Sequence, residues 1–209
     1  MAARRNEEYA AADEAIKLLA KKAAARYSRT WTKLQQLKFD ELNVIHEAKT
    51  LYKALDADNR DAYIRLARRQ YQKHDGPKSN KSWKKWLLLF LAEYNPVMEY
   101  IYDNEVERKR DRMQESVIGA PASEKRAAYV RAANAWGKQT GWFADAVADA
   151  ASLEAFDDLG FKFVQWHTQE DSRVCPVCEE RDKKIYPIGD IPPKPHPGCR
   201  CWYTPVDHR

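Results

Sequence analysis

The chain has 209 residues, enough to bury a core in one or two domains, and a composition 44% hydrophobic and 11% aromatic excludes an intrinsically disordered segment. Charged residues reach 32% but nearly cancel, and a net charge of +5 is a mild bias toward nucleic acid or an acidic surface that defines no groove by itself. The longest apolar run, WLLLFLA at 86–92, falls far short of the ~20 residues of a membrane span, and MAARRNEEYAAADEA lacks the apolar stretch of a secretory signal. The expectation is an intracellular origin with reduced thiols and no membrane contact.

Residues 1–160 read as one helix after another, with Gly and Pro confined to the breaks. The first helix, roughly 6–27, is alanine-rich and lacks a strong apolar stripe; residues 1–30 have the pattern of a packed arm or of a helix that needs a partner. Asp40 opens a second helix with Leu42, Ile45, Tyr52 and Leu55 on one face. Asp58 is a further start, with Asp61 in its first turn, and Tyr63, Leu66, Ala67 and Tyr71 form its apolar side until HDGPKSN at 74–80 breaks the chain. From Ser82, the pattern Trp83, Trp86, Leu87, Phe90, Leu91 and Tyr94 predicts a helix buried on a wide face and ended by Asn95-Pro96. The next, about 97–118, carries Met98, Ile101, Tyr102, Val106 and Met113 inward; its EVERKRDR run reads as a solvated face laced by Glu and Arg pairs. Ser123 caps a helix to about 137, and another runs from about 141 to 159 with Trp142, Phe143, Val147, Ala150 and Leu153 inward and Gly160 as its stop.

At residue 161 the period changes. FKFVQWHT, 161–168, places Phe161 and Phe163 on one face and Val164 and Trp166 on the other, as in a strand covered on both sides. Seven of the ten prolines follow Cys175, which predicts strands and extended turns rather than another helix, with short strands at 184–187 and 201–204. The fold class is therefore mainly α with a small C-terminal α+β module: a helical body over 1–160 and a short β-rich, zinc-knuckle-like module over 161–209.

All four cysteines lie in the last 35 residues: Cys175 and Cys178 as Cys-x-x-Cys, then Cys199 and Cys201, with His196 three residues before Cys199. A tight turn at Pro176 brings two thiolates to ~2.3 Å from one metal ion, and the second pair follows after 17 or 20 residues, a usual span for a structural zinc site. Cys175, Cys178 and Cys199 are the first three ligands; His196 and Cys201 compete for the fourth place. If all four are thiolates, His196 becomes a hydrogen-bond donor to a sulfur. Two disulfides are the rival reading, disfavoured without an export signal. A redox pair is weaker, because this Cys-x-x-Cys does not start a helix of a βαβ unit. Sulfur and nitrogen can fill every position around the ion, so structural zinc outranks catalytic zinc, and a module this small needs such a staple. The prolines stiffen the connection between the ligand pairs.

Read together, WHTQEDSRVCPVCEERDKKIYPIGDIPPKPHPGCRC resembles the C-terminal signature of the phage Mu F-like minor head proteins, the phage head-morphogenesis family. The matching positions are Trp166, Asp171, Arg173, Cys175, Cys178, Asp182, Lys184, Tyr186, His196, Pro197, Cys199, Arg200 and Cys201, about 40 residues in all; YNPVMEYIYDNEVERKRDR upstream is similar to the helical part. The signature's glycine after Asp182 is Lys183 here, so a turn built differently is expected. The resemblance implies a minor structural protein of a tailed-phage virion. It would stand in several copies in a symmetric assembly, near the portal and major capsid proteins in the head interior, after assembly in the host cytoplasm. It implies no catalytic residues and no enzyme. Asp171 and Arg173 are expected to form a charge-assisted pair beside the module, and Arg200 to point away from the metal.

Two other functions compete. A zinc-stabilised nucleic-acid-binding protein, packaged DNA being one ligand, would use KKAAARYSR, RLARRQYQK and SWKKW, although helical spacing explains most of their aromatics as core. A metal-dependent hydrolase would need an open metal position and a base, for which His167, Asp171 and His208 are loose candidates. His46 and His74 read as ordinary residues of the helical half.

Overall fold

The structure, a computed structural model, describes residues 7–76, 81–92, 100–169 and 172–207. Three long helices frame it: α1 (Ala10–Gln36), α2 (Glu41–Lys73) and α5 (Lys125–Asp158), each packed on the other two, with α3 (Trp83–Ala92) and α4 (Tyr102–Ile118) against α2 and one another. No described helix is long and apolar enough to cross a membrane.

The boundaries follow local chemistry where a cap exists and tertiary packing where none does. Asp40 accepts the Asn43 backbone N–H at 3.2 Å, satisfying an orphan donor at the start of α2 as its sequence position predicts. At the far end of α5, Gly160 takes φ +90°, Phe161 N–H bonds Phe156 O at 3.0 Å and Gly160 N–H bonds Asp157 O at 2.9 Å, a paired closure that stops the helix and turns the chain toward the module.

Four expectations are corrected. The first helix extends to Gln36 instead of ending near 27, because a thin stripe of Ala12, Leu19, Tyr27 and Leu34, one residue every seven or eight, is buried along its whole length. Asp58 does not start a helix. It lies inside α2 and takes Lys22 at 3.3 Å and Arg26 at 2.5 Å from α1, so its carboxylate is a clamp between two helices rather than a cap. The break expected between 137 and 141 is absent: α5 runs through Gly137 and Gly141, whose propensity penalty of ~1 kcal/mol each is outweighed by burial of Trp136, Gln139, Thr140 and Phe143 around them. Finally, Leu42 and Ile45 are exposed at 77% and 39%, since the buried arc of α2 is set by Val44, Ala48, Leu51, Tyr52 and Leu55. Tyr94 and Met98 lie outside the described residues.

The body holds two apolar clusters. One gathers Leu19, Tyr63, Leu66, Leu87, Leu91, Tyr102, Phe143 and Val147; the other Tyr27, Leu34, Leu51, Tyr52, Leu55, Met113, Tyr129 and Trp136. Asn59 lies within 3.1 Å of the Tyr102 hydroxyl and 3.2 Å of the Thr140 hydroxyl, and Tyr63 donates to Thr140 O at 2.8 Å, so these four residues satisfy one another inside the bundle.

The C-terminal module is a three-stranded antiparallel sheet, order β2-β1-β3, from β1 (Phe163–His167), β2 (Ile185–Pro187) and β3 (Trp202–Val206). Val164 faces Tyr186 and Pro205 in the register, and Trp166 faces Tyr203. Only one face of β1 is deeply covered: Val164 and Trp166 are fully buried, while Phe163, Gln165 and His167 are half-buried. Between β1 and β2 a six-residue helix, α6 (Pro176–Arg181), breaks the expectation of strands and turns alone; its proline sits in the first turn, where the missing N–H has no partner to lose. A single 3₁₀ turn, Ile188–Asp190, follows β2.

Candidate metal centre

The module's core gathers Phe156 from α5, Val164 and Trp166 from β1, Tyr203 from β3, and three of the four cysteines, Cys178, Cys199 and Cys201. Each arrives by a local device. Cys175 is the N-cap of α6, its sulfur accepting the Cys178 backbone N–H at 3.4 Å, which fixes the Cys-x-x-Cys pair on one helical turn. The premise that this pair does not start a helix is thus corrected, though the sheet around it is antiparallel and no βαβ unit is present among the described residues. Gly198, at φ +75°, turns the proline-rich segment so that Cys199 and Cys201 enter side by side ahead of β3.

Sulfur and nitrogen then converge in two overlapping groups, Cys175, Cys178 and His196, and Cys178, Cys199 and Cys201, in each of which the ligand atoms lie within 4.8 Å of one another. Cys178 belongs to both. Its sulfur stands 3.5 Å from that of Cys199, close to the ~3.8 Å edge of a tetrahedron of thiolates ~2.3 Å from a common ion and well beyond a disulfide bond. The cleft they line holds about 40 Å³, ample for an ion, with Arg173 and Arg200 on its border. The arrangement is compatible with a structural metal site.

The protonation of the thiols leads the same way. A hydrogen bond from the Cys201 thiol, against opposing burial and with help from the Lys194 charge, brings Cys199 down to about 5. Burial and the Cys199 charge push Cys178 up to about 12, and the bond it gives Cys199, with burial, raises Cys201 far above the ordinary thiol range. Without a cation, one buried thiolate leans on its neighbours' protons; a divalent ion would replace those protons and let every sulfur ionise. At the rim, burial opposes charge on Cys175, but the Cys178 N–H and the adjacent His196 bring its pKa down. His196 is exposed, with Nδ1 3.2 Å from Pro197 O.

Sequence reasoning missed the group that ties this centre to the body. Lys194, flanked by Pro193 and Pro195, is buried with Nζ 2.5 Å from Asp149 of α5, 3.1 Å from the Tyr9 hydroxyl and 2.8 Å from Cys201 O, so all three ammonium protons are used. Tyr9 also bonds Asp149 and lies 2.8 Å from Cys201 O. Burial disfavours the ammonium, but the carboxylate of Asp149 outweighs it and raises the Lys194 pKa. A lone lysine between prolines beside two ligand positions was the available signal, since a cation there needs a buried counter-charge.

Residues around the cysteines have structural duties. Asp182 accepts the Thr168 N–H at 2.7 Å, and Arg181 reaches Pro193 O at 2.6 Å while lying 5.2 Å over the Trp166 ring. Lys183, at the place where the signature has glycine, adopts φ +62°, the left-handed geometry that suits glycine, and its N–H bonds Trp166 O at 2.7 Å. Of the loose hydrolase candidates, His167 is 2.7 Å from the Thr204 hydroxyl and stacked on Trp202, apart from the metal cleft; Asp171 and His208 lie outside the described residues. The expected Asp171–Arg173 pair falls on the same boundary. His74 packs on Phe156 and pairs with Glu8, and His46 is exposed.

No family model matches the chain, and no curated protein or solved structure is significantly similar to it.

Proposed function

We propose that this chain is a non-catalytic structural protein of a tailed-phage head, a helical body for docking near the portal and the capsid lattice with a zinc-stapled module at its C-terminal end. The observation that carries this reading is that the residues of the signature between Trp166 and Cys201 serve one centre: Cys175, Cys178, Cys199 and Cys201 surround the cleft, Trp166 underlies it, and Asp182 fixes the strand end beside it. The ligands are the four thiolates. Cys201 is buried in the same group as Cys178 and Cys199, whereas His196 stands exposed beside Cys175, placed to donate a hydrogen bond to that sulfur. Four sulfurs leave no open position for an activated water, which is why the reading is structural rather than hydrolytic.

Heads assembled with the Cys178→Ser chain in place of the natural one should show altered portal incorporation, DNA packaging or infectivity; unaltered heads would remove the head-assembly reading. Elemental analysis tests the ligand set separately. His196→Ala should retain one zinc per chain and Cys201→Ser should lose it, and the reverse result would install the histidine as fourth ligand.

A further inference from the structure

Of the ten cations in the three basic stretches picked out in the sequence, five are held in ion pairs among the described residues. Lys22 and Arg26 bind Asp58, Arg65 binds Asp61, Arg69 binds Glu14 and Lys73 binds Glu8. The run on α4 divides differently. Arg108 pairs with Glu105 and Arg110 with Asp111, as a solvated face should, but Lys109 and Arg112, together with Arg131 and Lys138 of α5, form no ion pair among the described residues. Lys109, Arg112 and Arg131 line a cavity of about 160 Å³ between α4 and α5. Its floor on α5 is Ala128, Ala132 and Ala135, which project nothing beyond Cβ. Partial burial of Lys109, with the like charges of Arg108, Arg112 and Lys138 against the single attraction of Glu105, lowers its pKa, so the cations strain against one another.

We infer that the α4–α5 groove is a binding site for the phosphate backbone of double-stranded nucleic acid. The cations need an anion, and from Arg131 to Lys138 they extend roughly 10 Å along α5, too long for one phosphate and about the axial length of three nucleotides on a strand. The groove lining contains no aromatic side chain. Base stacking, the main source of affinity for single strands, is therefore absent, and contact with a duplex backbone, independent of sequence, remains. This site stands apart from the metal centre and does not depend on the head-assembly reading.

Binding of the full-length, zinc-loaded chain to a fluorescent 20-base-pair duplex, titrated with salt, tests it. Four phosphate contacts give a slope of log K against log salt of about −3.6. Lys109→Gln/Arg131→Gln should halve that slope to about −1.8 and weaken binding roughly tenfold or more at low salt, with Arg112→Gln/Lys138→Gln as the second pair should the first not fold. Arg65→Gln/Arg69→Gln, on the paired surface, should bind like the natural chain. Equal binding by the groove variants, a slope near zero, or equally tight binding of poly-glutamate or of a single strand would overturn the assignment.

Discussion

The helical body and the C-terminal module are stabilised in opposite ways. The body spreads its stability over three long helices, two apolar clusters and several tyrosine hydroxyls bonded inside the bundle, so no one residue holds it. The module has strands of three to five residues, a core whose cysteines displace hydrocarbon, and one buried lysine fastening it to α5. A region without enough apolar area to close on itself can still be rigid if a few strong, short-range bonds are placed at its centre.

The widest test of that contrast is removal of the zinc proposed for the cysteine cluster. Chelation, or Cys178→Ser, withdraws roughly 10–16 kcal/mol of apparent binding energy, and hydrogen exchange should then show β1, β2 and β3 open while α2 stays protected. Simultaneous loss of protection in α2 would make the two regions one cooperative unit. Smaller, and confined to the body, Trp136→Ala removes a ring buried at 1% exposure that meets Tyr52 edge-on at 5.3 Å; it should cost about 3–5 kcal/mol in denaturant unfolding without releasing zinc. At the joint, Lys194→Ala strands the Asp149 carboxylate and should cost about 3 kcal/mol or more, whereas Lys194→Met with Asp149→Leu should recover most of it.

Two changes near 1 kcal/mol probe local geometry. Lys183→Gly relieves a left-handed backbone and should raise the module's melting temperature, by ~1 kcal/mol of stability; a decrease would mean that the lysine side chain, not its φ, sets the turn. The smallest effect is acid-dependent. Glu8 is brought down to about 2, burial opposing but hydrogen bonds from His74 and Lys73 prevailing. Its pair with Lys73 and His74 therefore stabilises the fold above the ordinary value of 4.5, and this contribution disappears as pH falls through about 2. The stability difference between Glu8→Gln and the natural chain, below ~1 kcal/mol near pH 6, should shrink below pH 4.5 and vanish only below about pH 2.

The module was more legible in the sequence than the body. Cysteine spacing, the change of period at 161 and the prolines are local signals, and the strands and the sulfur cluster appear where they point. In the body, each misplaced boundary traces to a long-range partner. Asp58 looks like a cap until Lys22 and Arg26 are known to face it, and Gly137 looks like a stop until the packing of Trp136 and Phe143 is known to carry the helix past it. The stripe of α1 recurs too sparsely to stand out, and Lys194 finds Asp149 from 45 positions away.

The bond between Tyr9 and the Cys201 carbonyl joins groups 192 positions apart. On a ribosome adding 5–20 residues each second, the first turn of α1 emerges roughly 10–40 s before the partner that covers it has been made. During that interval Tyr9 can reach Asp149 once α5 has been made, but its side toward the Cys201 carbonyl stays uncovered. Synthesis of the segment around Cys201 is therefore the event that completes the cover over Tyr9.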